Sequence, residues 1–437
     1  MVNVGTHELL TLLALVAAFA GATFGLKLPV GVALVIASVV GAIVGGQALP
    51  VLDLVRHLVE GTMAYLDAIL VIACATIFMK AIESSGLLGS LANALIRAFA
   101  RQPWLLLAAA ALLIMFPGMM TGSSTAAVLT TGAMMVPVLV HMGIPRPKVG
   151  AIIALCALLG MAAPPVSILA LIIGAGIDLP YVGLDVPLLV MTIPPALVFT
   201  WGLGLPHCRR PDLVADAGDL PRSVYSAHGI KLFIPLAVVV ALMLLERLGG
   251  HLMQLGLPLV FLLGAGAAAV TGERFNVLTS ARSAMEAAIP VLAILVGVGM
   301  FIQVMTLTGA RGEVVVQAVQ LPRGWGGLYP VIGTTLPVFG AVSSFGAASV
   351  LGIPYTLALP MDGTTIIINV AALVLIASLG DLMPPTALAS IFAAQVAGVK
   401  NYFHVLKHCA IPAVALVVLG LLFIQFAEPL GKALVFF

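Results

Sequence analysis

The amino-acid sequence predicts an all-α polytopic membrane protein that consists of two inverted repeats. Of the 437 residues, 62% are hydrophobic and 8% are charged, whereas soluble globular domains carry about 25% charged residues. Apolar runs of the length that crosses a bilayer recur along the whole chain, without the period-two alternation of an outer-membrane barrel. Several motifs of the first half also recur in the second half at a nearly constant offset.

The apolar runs give the expected order of the helices. The first run has no Lys or Arg before it, so it is expected to be a retained helix and not a cleaved signal peptide. Two long segments, 104–141 and 325–360, each carry a Gly/Ser break near the middle, which predicts a helical hairpin. A basic amphipathic piece at 94–104 is expected to lie along the membrane interface. The other spans are expected at 7–25, 28–46, 63–83, 146–177, 183–205, 230–249, 253–271, 285–305, 363–398 and 408–428.

Three pairs of motifs indicate an internal duplication of about 220 residues. The pairs are "IFMKAIESSG" (77–86) with "MFIQVMTLTG" (300–309), "PGMMTGSSTAA" (117–127) with "PVFGAVSSFGA" (337–347), and "LGMAAPPVS" (159–167) with "LGDLMPPTA" (379–387). The second and third pairs have the same offset, and that of the first pair is only slightly larger. The chain is therefore interpreted as a first repeat at 1–205, a cytoplasmic linker at 206–229 and a second repeat at 230–437.

The distribution of positive charge predicts the orientation of the two repeats. If each hairpin is re-entrant, five crossings separate equivalent elements, and this odd number makes the repeats inverted. With the N-terminus outside, 14 of the 19 Lys and Arg residues fall on the cytoplasmic side, as the positive-inside rule requires. Two full crossings per hairpin would preserve the same parity, so charge alone does not establish re-entrance.

The tips of the two predicted hairpins are candidate binding sites. Non-helical backbone at membrane depth leaves unsatisfied polar groups unless it is buried in protein or lines a wet cavity. A Gly at the turn and a Ser that caps the following half-helix suit a tip that faces a polar site. Small residues that pack helices together are the alternative interpretation. The candidate residues are Gly122, Ser123, Ser124, Thr125, Ser343 and Ser344.

A Pro-Pro pair interrupts one predicted span in each repeat, at 146–177 and 363–398. Proline removes backbone donors and breaks a helix, which leaves free carbonyls before the break and a half-helix N-terminus after it. This construction suits a cation and an anion at the centre of an inverted-repeat transporter; a purely structural kink is the alternative. The candidate residues at the two breaks are Pro164, Pro165, Ser167, Pro384, Pro385 and Thr386.

Asp381 is the carboxylate expected well inside a span. A charge at that depth is costly and usually functional, so we expect a role in ion or proton coupling, with a hydrated vestibule as the alternative. Its partner in the first repeat is Met161. Asn369 and Gln303 are further candidates for lining the site, while the charged residues near span ends are expected to be solvated: Glu83, Arg311 and Glu313.

Several other classes of site are not expected from the sequence. The four cysteines are far apart and fit neither a disulfide framework nor zinc-ligand spacing. No nucleotide-binding loop, haem signature or metal cluster is present, and the basic residues sit singly in short loops. We therefore expect no cofactor, no nucleic-acid partner and no enzymatic activity, with transport energy taken from an ion gradient.

In their order and spacing the motifs resemble the ion transporter superfamily. They are most similar to the large membrane (M, DctM-type) subunit of tripartite ATP-independent periplasmic (TRAP) transporters. The resemblance rests on "LPVG" (28–31), "GSS" (122–124), a "PP" in each half and "SLGDLMPPTALASIFAAQVAGV" (378–399). The Ser-rich second tip, "GAVSSFGAAS" (340–349), and the acid at Asp381 depart from the family pattern.

This resemblance implies a sodium-coupled elevator transporter in the bacterial cytoplasmic (inner) membrane. Its substrates would be small organic anions, mainly carboxylates such as C4-dicarboxylates, with sodium sites near Ser123, Ser343 and Asp381. A small four-helix membrane subunit and a periplasmic binding protein would be its partners, besides membrane lipid and possible further copies of the chain.

Three other functions remain open from the sequence alone. The first is a stand-alone sodium- or proton-coupled carboxylate symporter of the same superfamily. The second is an intramembrane aspartyl protease that would use Asp67 and Asp381, although "SLGD" (378–381) lacks the required Gly and "PAL" (195–197) precedes it. The third is a channel lined by the two tips.

Overall fold

The computed structural model describes residues 6–46, 50–208, 221–248, 255–313, 363–382 and 387–435, together with a few positions between 344 and 359. The first half contains α1 (Thr6–Ala20), α2 (Val30–Gly45), α3 (Val51–Met63), α4 (Leu66–Ser84), α5 (Leu87–Phe99), α6 (Pro103–Thr121), α7 (Ser124–Ala127), α8 (Ala133–His141), α9 (Arg146–Ala162), α10 (Ile168–Gly176) and α11 (Asp185–Gly204). A π-helical stretch, Val128–Gly132, joins α7 to α8.

The second half contains α12 (Tyr225–His228), α13 (Ile234–Leu248), α14 (Leu257–Thr271), α15 (Val277–Leu307), α16 (Thr365–Ser378), α17 (Leu388–Val396), α18 (Phe403–Gln425) and α19 (Ala427–Leu434). A 3-10 turn, Leu379–Leu382, extends α16, and a helical turn forms at Ser344–Gly346. Within the described residues, eight helical segments are long and apolar enough to cross a membrane. The prediction of an all-α polytopic membrane protein is confirmed.

The helices pack into two groups. One group consists of α1 to α4 with α13 to α15, and the other of α6 to α11 with α16 to α19. Two helices occupy the centre of the second group: α9, buried from Val149 to Ala162, and α16, buried along its whole length. The break at 163–167 that follows α9 is therefore enclosed by protein.

Helix boundaries agree with the offset of the predicted duplication. The half-helices α10 and α17 each contain nine residues, and their first residues, Ile168 and Leu388, occupy equivalent positions of the two repeats. The ends of the helices before the two breaks are also equivalent. Helix α9 ends at Ala162 and the turn after α16 ends at Leu382, and these two residues align between the repeats. These correspondences support the duplication, while the inversion of the repeats stays a prediction.

Three expected boundaries are corrected by the structure. Helix α3 was not expected, because Asp53, Arg56 and Glu60 interrupt its apolar run, whereas the expected span at 63–83 corresponds to α4. Helix α15 begins at Val277, about two turns before the expected span. The piece at 94–104 is split between α5 and α6, and one face of α5 is buried in the protein.

The first predicted hairpin, 104–141, is formed by α6 and the helical segment Ser124–His141. Each arm is long enough to cross a membrane by itself, so helix length leaves re-entrance a prediction. The second hairpin, 325–360, lies largely outside the described residues.

Glycines allow α6 and α9 to approach at backbone distance. A Cβ on Gly160 would lie 2.5 Å from the carbonyl oxygen of Met115, and one on Gly118 would lie 3.0 Å from the carbonyl carbon of Gly160. Small residues at helix crossings provide this kind of packing in membranes. Small residues therefore do pack helices together in this region, which lies one to two turns before the hairpin tip and the break.

We expect Gly160→Ala to destabilise the protein, because the added methyl group must displace the backbone of α6. Overpacking of this kind costs about 1–3 kcal/mol. A lower apparent melting temperature of the purified protein in detergent, at a fixed heating rate, measures the effect.

Gly202→Ala in α11 is the matched control, since a Cβ there meets no atom within 4 Å. Ala is the better helix former, so this variant should melt at the same temperature or slightly higher. Equal melting temperatures for both variants would contradict the close α6–α9 packing.

Candidate functional site

The first hairpin tip packs against the start of the half-helix α10. Gly122 has a left-handed φ of +62°, a conformation that glycine adopts without steric cost. A Cβ at Gly122 would lie 2.4 Å from Cγ1 of Ile168, and the backbone N–H of Val166 donates to the carbonyl of Met119 at 3.1 Å. The tip and the break are thus joined through backbone groups inside the protein.

Two of the predicted site serines cap helices. The hydroxyl oxygen of Ser123 accepts a hydrogen bond from the backbone N–H of Ala126 at 3.3 Å, and that of Ser167 accepts from Ala170 at 3.4 Å. Each bond satisfies one of the N–H groups that a helix start leaves free. Ser123 and Ser167 therefore place two helix starts beside the tip and the break.

Asp381 lies at the centre of the site and is only 2% exposed. One carboxylate oxygen accepts a short hydrogen bond from the hydroxyl of Ser124. The other accepts from the hydroxyl of Ser344 at 2.8 Å and from its backbone N–H at 3.3 Å. One carboxylate thus contacts the tips of both predicted hairpins.

The residues that meet at this point are partners in the predicted duplication. Ser124 aligns with Ser344 and Met161 aligns with Asp381 when the paired motifs of the two halves are superimposed. The Ser344 hydroxyl lies 3.8 Å from the sulfur of Met161, which brings all four side chains together. Ser124, Ser344 and Asp381 were each expected to be site residues from the sequence, but their contact was not predicted.

The charge of Asp381 has no basic partner among the described residues. Its hydrogen bonds come from hydroxyl and backbone N–H groups, and no described Lys or Arg forms an ion pair with it. An unpaired buried carboxylate is strongly disfavoured, so a cation or a proton at this position would be stabilising. Carboxylate and hydroxyl oxygens are ligands for hard cations. Among the described residues, no group of three His, Cys, Asp or Glu side chains could hold a metal ion.

The other candidates fall into three groups. Thr125, Pro164 and Pro165 lie at the first tip and break, whereas Gln303 contacts His57 at 3.3 Å between α15 and α3. Asn369 is buried within α16, three turns before Asp381. The candidates outside the described residues are Ser343, Pro384, Pro385 and Thr386.

The expectation that Arg311 and Glu313 are solvated was wrong. Glu313 is 5% exposed, and the guanidinium of half-buried Arg311 donates to the carbonyl of Gly176, the last residue of α10. The hydroxyl of Tyr65 donates to the carbonyl of Ile172 in the same helix at 3.1 Å. A cation at a helix C-terminus is favourable, and only the folded chain brings α10 to Arg311. Glu83, by contrast, forms an exposed pair with Lys80.

Asp67, the second acid of the protease hypothesis, lies at a different place from Asp381. It borders a cavity of about 160 Å³ between the start of α4 and the end of α10, and Asp381 does not line that cavity. The lining residues are Ala64, Tyr65, Asp67, Ala68, Ala170, Leu171, Ala175, Leu179 and Tyr181.

We expect Ser124→Ala to lower the apparent melting temperature in detergent. The substitution removes a donor to a buried carboxylate, and hydrogen bonds to charged groups contribute about 1.5–3 kcal/mol. Ser38→Ala is the matched control, because the buried Ser38 hydroxyl donates only to Leu34 of its own helix. A loss no larger than that of the control would contradict the proposed contact between the tip and Asp381.

Comparisons with known proteins agree with this architecture. Residues 15–430 match the family model of the tripartite ATP-independent periplasmic transporter, DctM component. The fold is similar to the crystal structure of the YdaH transporter of Alcanivorax borkumensis, with a TM-score of 0.60 and 18% sequence identity over 87% of this chain and 90% of that chain. No curated protein matches the sequence significantly. The chain therefore belongs to the DctM family, the large component of TRAP transporters, and is a transporter component and not an enzyme.

Proposed function

We propose that the chain imports a small organic anion, in particular a carboxylate such as a C4-dicarboxylate, at the expense of a sodium gradient. The observation that carries the proposal is the buried carboxylate of Asp381, which joins the two hairpin tips through Ser124 and Ser344. Carboxylate specificity and sodium coupling follow from the resemblance to TRAP transporters, and the family match supports them.

Sodium would bind among the oxygens of Asp381, Ser124 and Ser344. Each hydroxyl donates to the carboxylate in this structure and can rotate to present a lone pair to a cation. The cation would compensate the buried charge, so closing the tips around the site would cost less free energy with sodium bound than without it. The difference between these two free energies is the coupling between ion binding and conformation.

The anion would bind beside the Pro-Pro break of the first repeat. The start of the nine-residue helix α10 supplies backbone N–H groups there, and the hydroxyl of Ser167 accepts from only one of them. Helix starts favour negative charge. Sodium in the neighbouring site would add to this attraction, which supports binding of ion and substrate together.

We further propose an elevator movement of one helix group against the other. The hairpins and broken helices, α6 to α10 with α16 and α17, would form the moving part, and α1 to α4 with α13 to α15 the scaffold. Tyr65 contacts a carbonyl in the middle of α10 and Arg311 contacts one at its end, so these bonds would have to break during the movement. A small four-helix subunit and a periplasmic binding protein would complete the system in the bacterial inner membrane.

A stand-alone sodium- or proton-coupled symporter is the second candidate. The buried carboxylate of Asp381 also supports this function, because such a group can exchange a proton as well as a cation. Proteoliposomes that contain the chain alone, and then with the small subunit and binding protein, separate the two functions. Labelled mono- and dicarboxylates are supplied under an inward sodium or proton gradient.

We expect Asp381→Asn to reduce sodium-driven uptake by about tenfold or more. The amide keeps the size of the side chain but removes the charge that the cation would compensate, and about 1.4 kcal/mol corresponds to a factor of ten. Glu286→Gln is the control, since Glu286 forms an exposed pair with Arg282 at the start of α15. Its uptake should equal that of the wild type.

Three results would change the conclusion. Undiminished sodium-driven uptake by Asp381→Asn would exclude the proposed ion site. Accumulation driven by the lone chain would replace the tripartite mechanism with a symporter. Flux that equilibrates the substrate without accumulation would indicate a channel.

A further inference from the structure

A cluster of basic side chains lies at one end of the second helix group, the end predicted to be cytoplasmic. The ammonium of Lys148 at the start of α9 is 3.4 Å from Nε2 of His207, which follows α11. Lys407 and His408 lie near the start of α18, two and three residues after Val405, which packs against Gly150 of α9. We name these four residues the basic cluster.

Close packing of α9 against α18 holds the basic cluster together. A Cβ on Gly150 would lie 2.8 Å from Cγ2 of Val405, so the two helices touch at this level. The thiol of Cys409 lies 4.0 Å from the carbonyl oxygen of Ala151. Lys148 is two residues before Gly150 and His408 directly precedes Cys409, so both lie at the same end of the helix pair.

The basic cluster has no anionic partner among the described residues. No described carboxylate forms an ion pair with Lys148 or Lys407. Nδ1 of His207 is buried and makes no hydrogen bond within the described part of the chain. Arg146, two residues before Lys148, instead donates to the carbonyl of Ala397 at 3.2 Å. Two lysines and two histidines without an acid favour an anion as the missing partner.

Two aromatic pairs lie near the basic cluster. The indole N–H of Trp201 donates to the carbonyl of Trp104 at 2.9 Å, and the two rings lie 6.5 Å apart. Tyr402 and Phe403 form a second aromatic pair, with centroids 4.4 Å apart, at the start of α18. Trp and Tyr are enriched at membrane–water interfaces, which supports a position of the cluster near the phosphate groups.

Exposed apolar side chains continue from the basic cluster along α18. Ile411 is 83% exposed and Val414 is 65% exposed, with Val418 a further turn along the same helix. The surface thus offers positive charge at one end and an aliphatic face beside it. A ligand that combines an anionic headgroup with acyl chains matches both parts.

We propose that the basic cluster binds the phosphate of an anionic phospholipid, whose acyl chains lie along the exposed face of α18. Basic pockets between membrane helices on the cytoplasmic side recognise anionic headgroups in this way. The bound lipid would join α9, α11 and α18 at their shared end. The proposal is independent of the transported substrate and of the coupling ion.

The test is native mass spectrometry of the full chain in detergent, with phosphatidylglycerol and phosphatidylcholine of identical acyl chains. We expect selective retention of phosphatidylglycerol by the wild type. The double variant Lys148→Gln/Lys407→Gln should lose about tenfold or more of this affinity, since each lysine near an anionic headgroup is worth about fivefold. Lys148→Arg/Lys407→Arg, which keeps the charges, should retain most of it.

The matched control is Lys231→Gln/Lys400→Gln, which removes two exposed lysines outside the basic cluster. It should bind phosphatidylglycerol like the wild type, and equal losses in both double variants would overturn the proposed site. Phosphatidylglycerol should also raise the melting temperature of the wild type but not that of Lys148→Gln/Lys407→Gln.

Two further outcomes would overturn the lipid as the occupant. Binding of inorganic phosphate without preference for phosphatidylglycerol would indicate a soluble phosphate ligand. Equal retention of both lipids by the wild type would show that the basic cluster does not select an anionic headgroup.

Discussion

A carboxylate buried in an apolar helix bundle is the constraint on which the rest of this structure depends. Asp381 is 2% exposed, so its carboxylate needs hydrogen-bond donors that the protein itself brings to it. The donors come from Ser124 in one hairpin tip and Ser344 in the other. Meeting this requirement draws both tips to the 3-10 turn that follows α16. The centre of the protein is therefore polar because it contains Asp381, and the surrounding helices exclude lipid from it.

The non-helical backbone near Asp381 is satisfied within the protein. Serine hydroxyls cap the starts of α7 and α10, and the backbone of Val166 pairs with that of Met119. Gly122 permits the left-handed turn at the tip. Irregular backbone is tolerated at membrane depth only when its polar groups find partners of this kind, so the tip and the break stabilise each other.

Cationic side chains are placed at the ends of helices and away from Asp381. Arg311 caps the end of α10, Arg146 contacts the end of α17, and Lys148 belongs to the basic cluster. A fixed guanidinium beside Asp381 would compensate its charge permanently. Hydroxyl donors leave the carboxylate able to accept an exchangeable cation or proton, which would suit the proposed gradient-driven transport.

The sequence by itself determined the helical membrane fold, the broken helices and the constant offset between the paired motifs, because apolar length and proline act on the local chain. It also identified Ser124, Ser344 and Asp381 as candidates, since small polar and charged residues are conspicuous in apolar runs. Only the tertiary structure decided that these side chains meet, because Ser124 and Asp381 are 257 residues apart. The contact of Arg311 with α10 could likewise not be predicted from the sequence. Whether a charged side chain at a helix end is solvated or buried depends on which distant element packs against it.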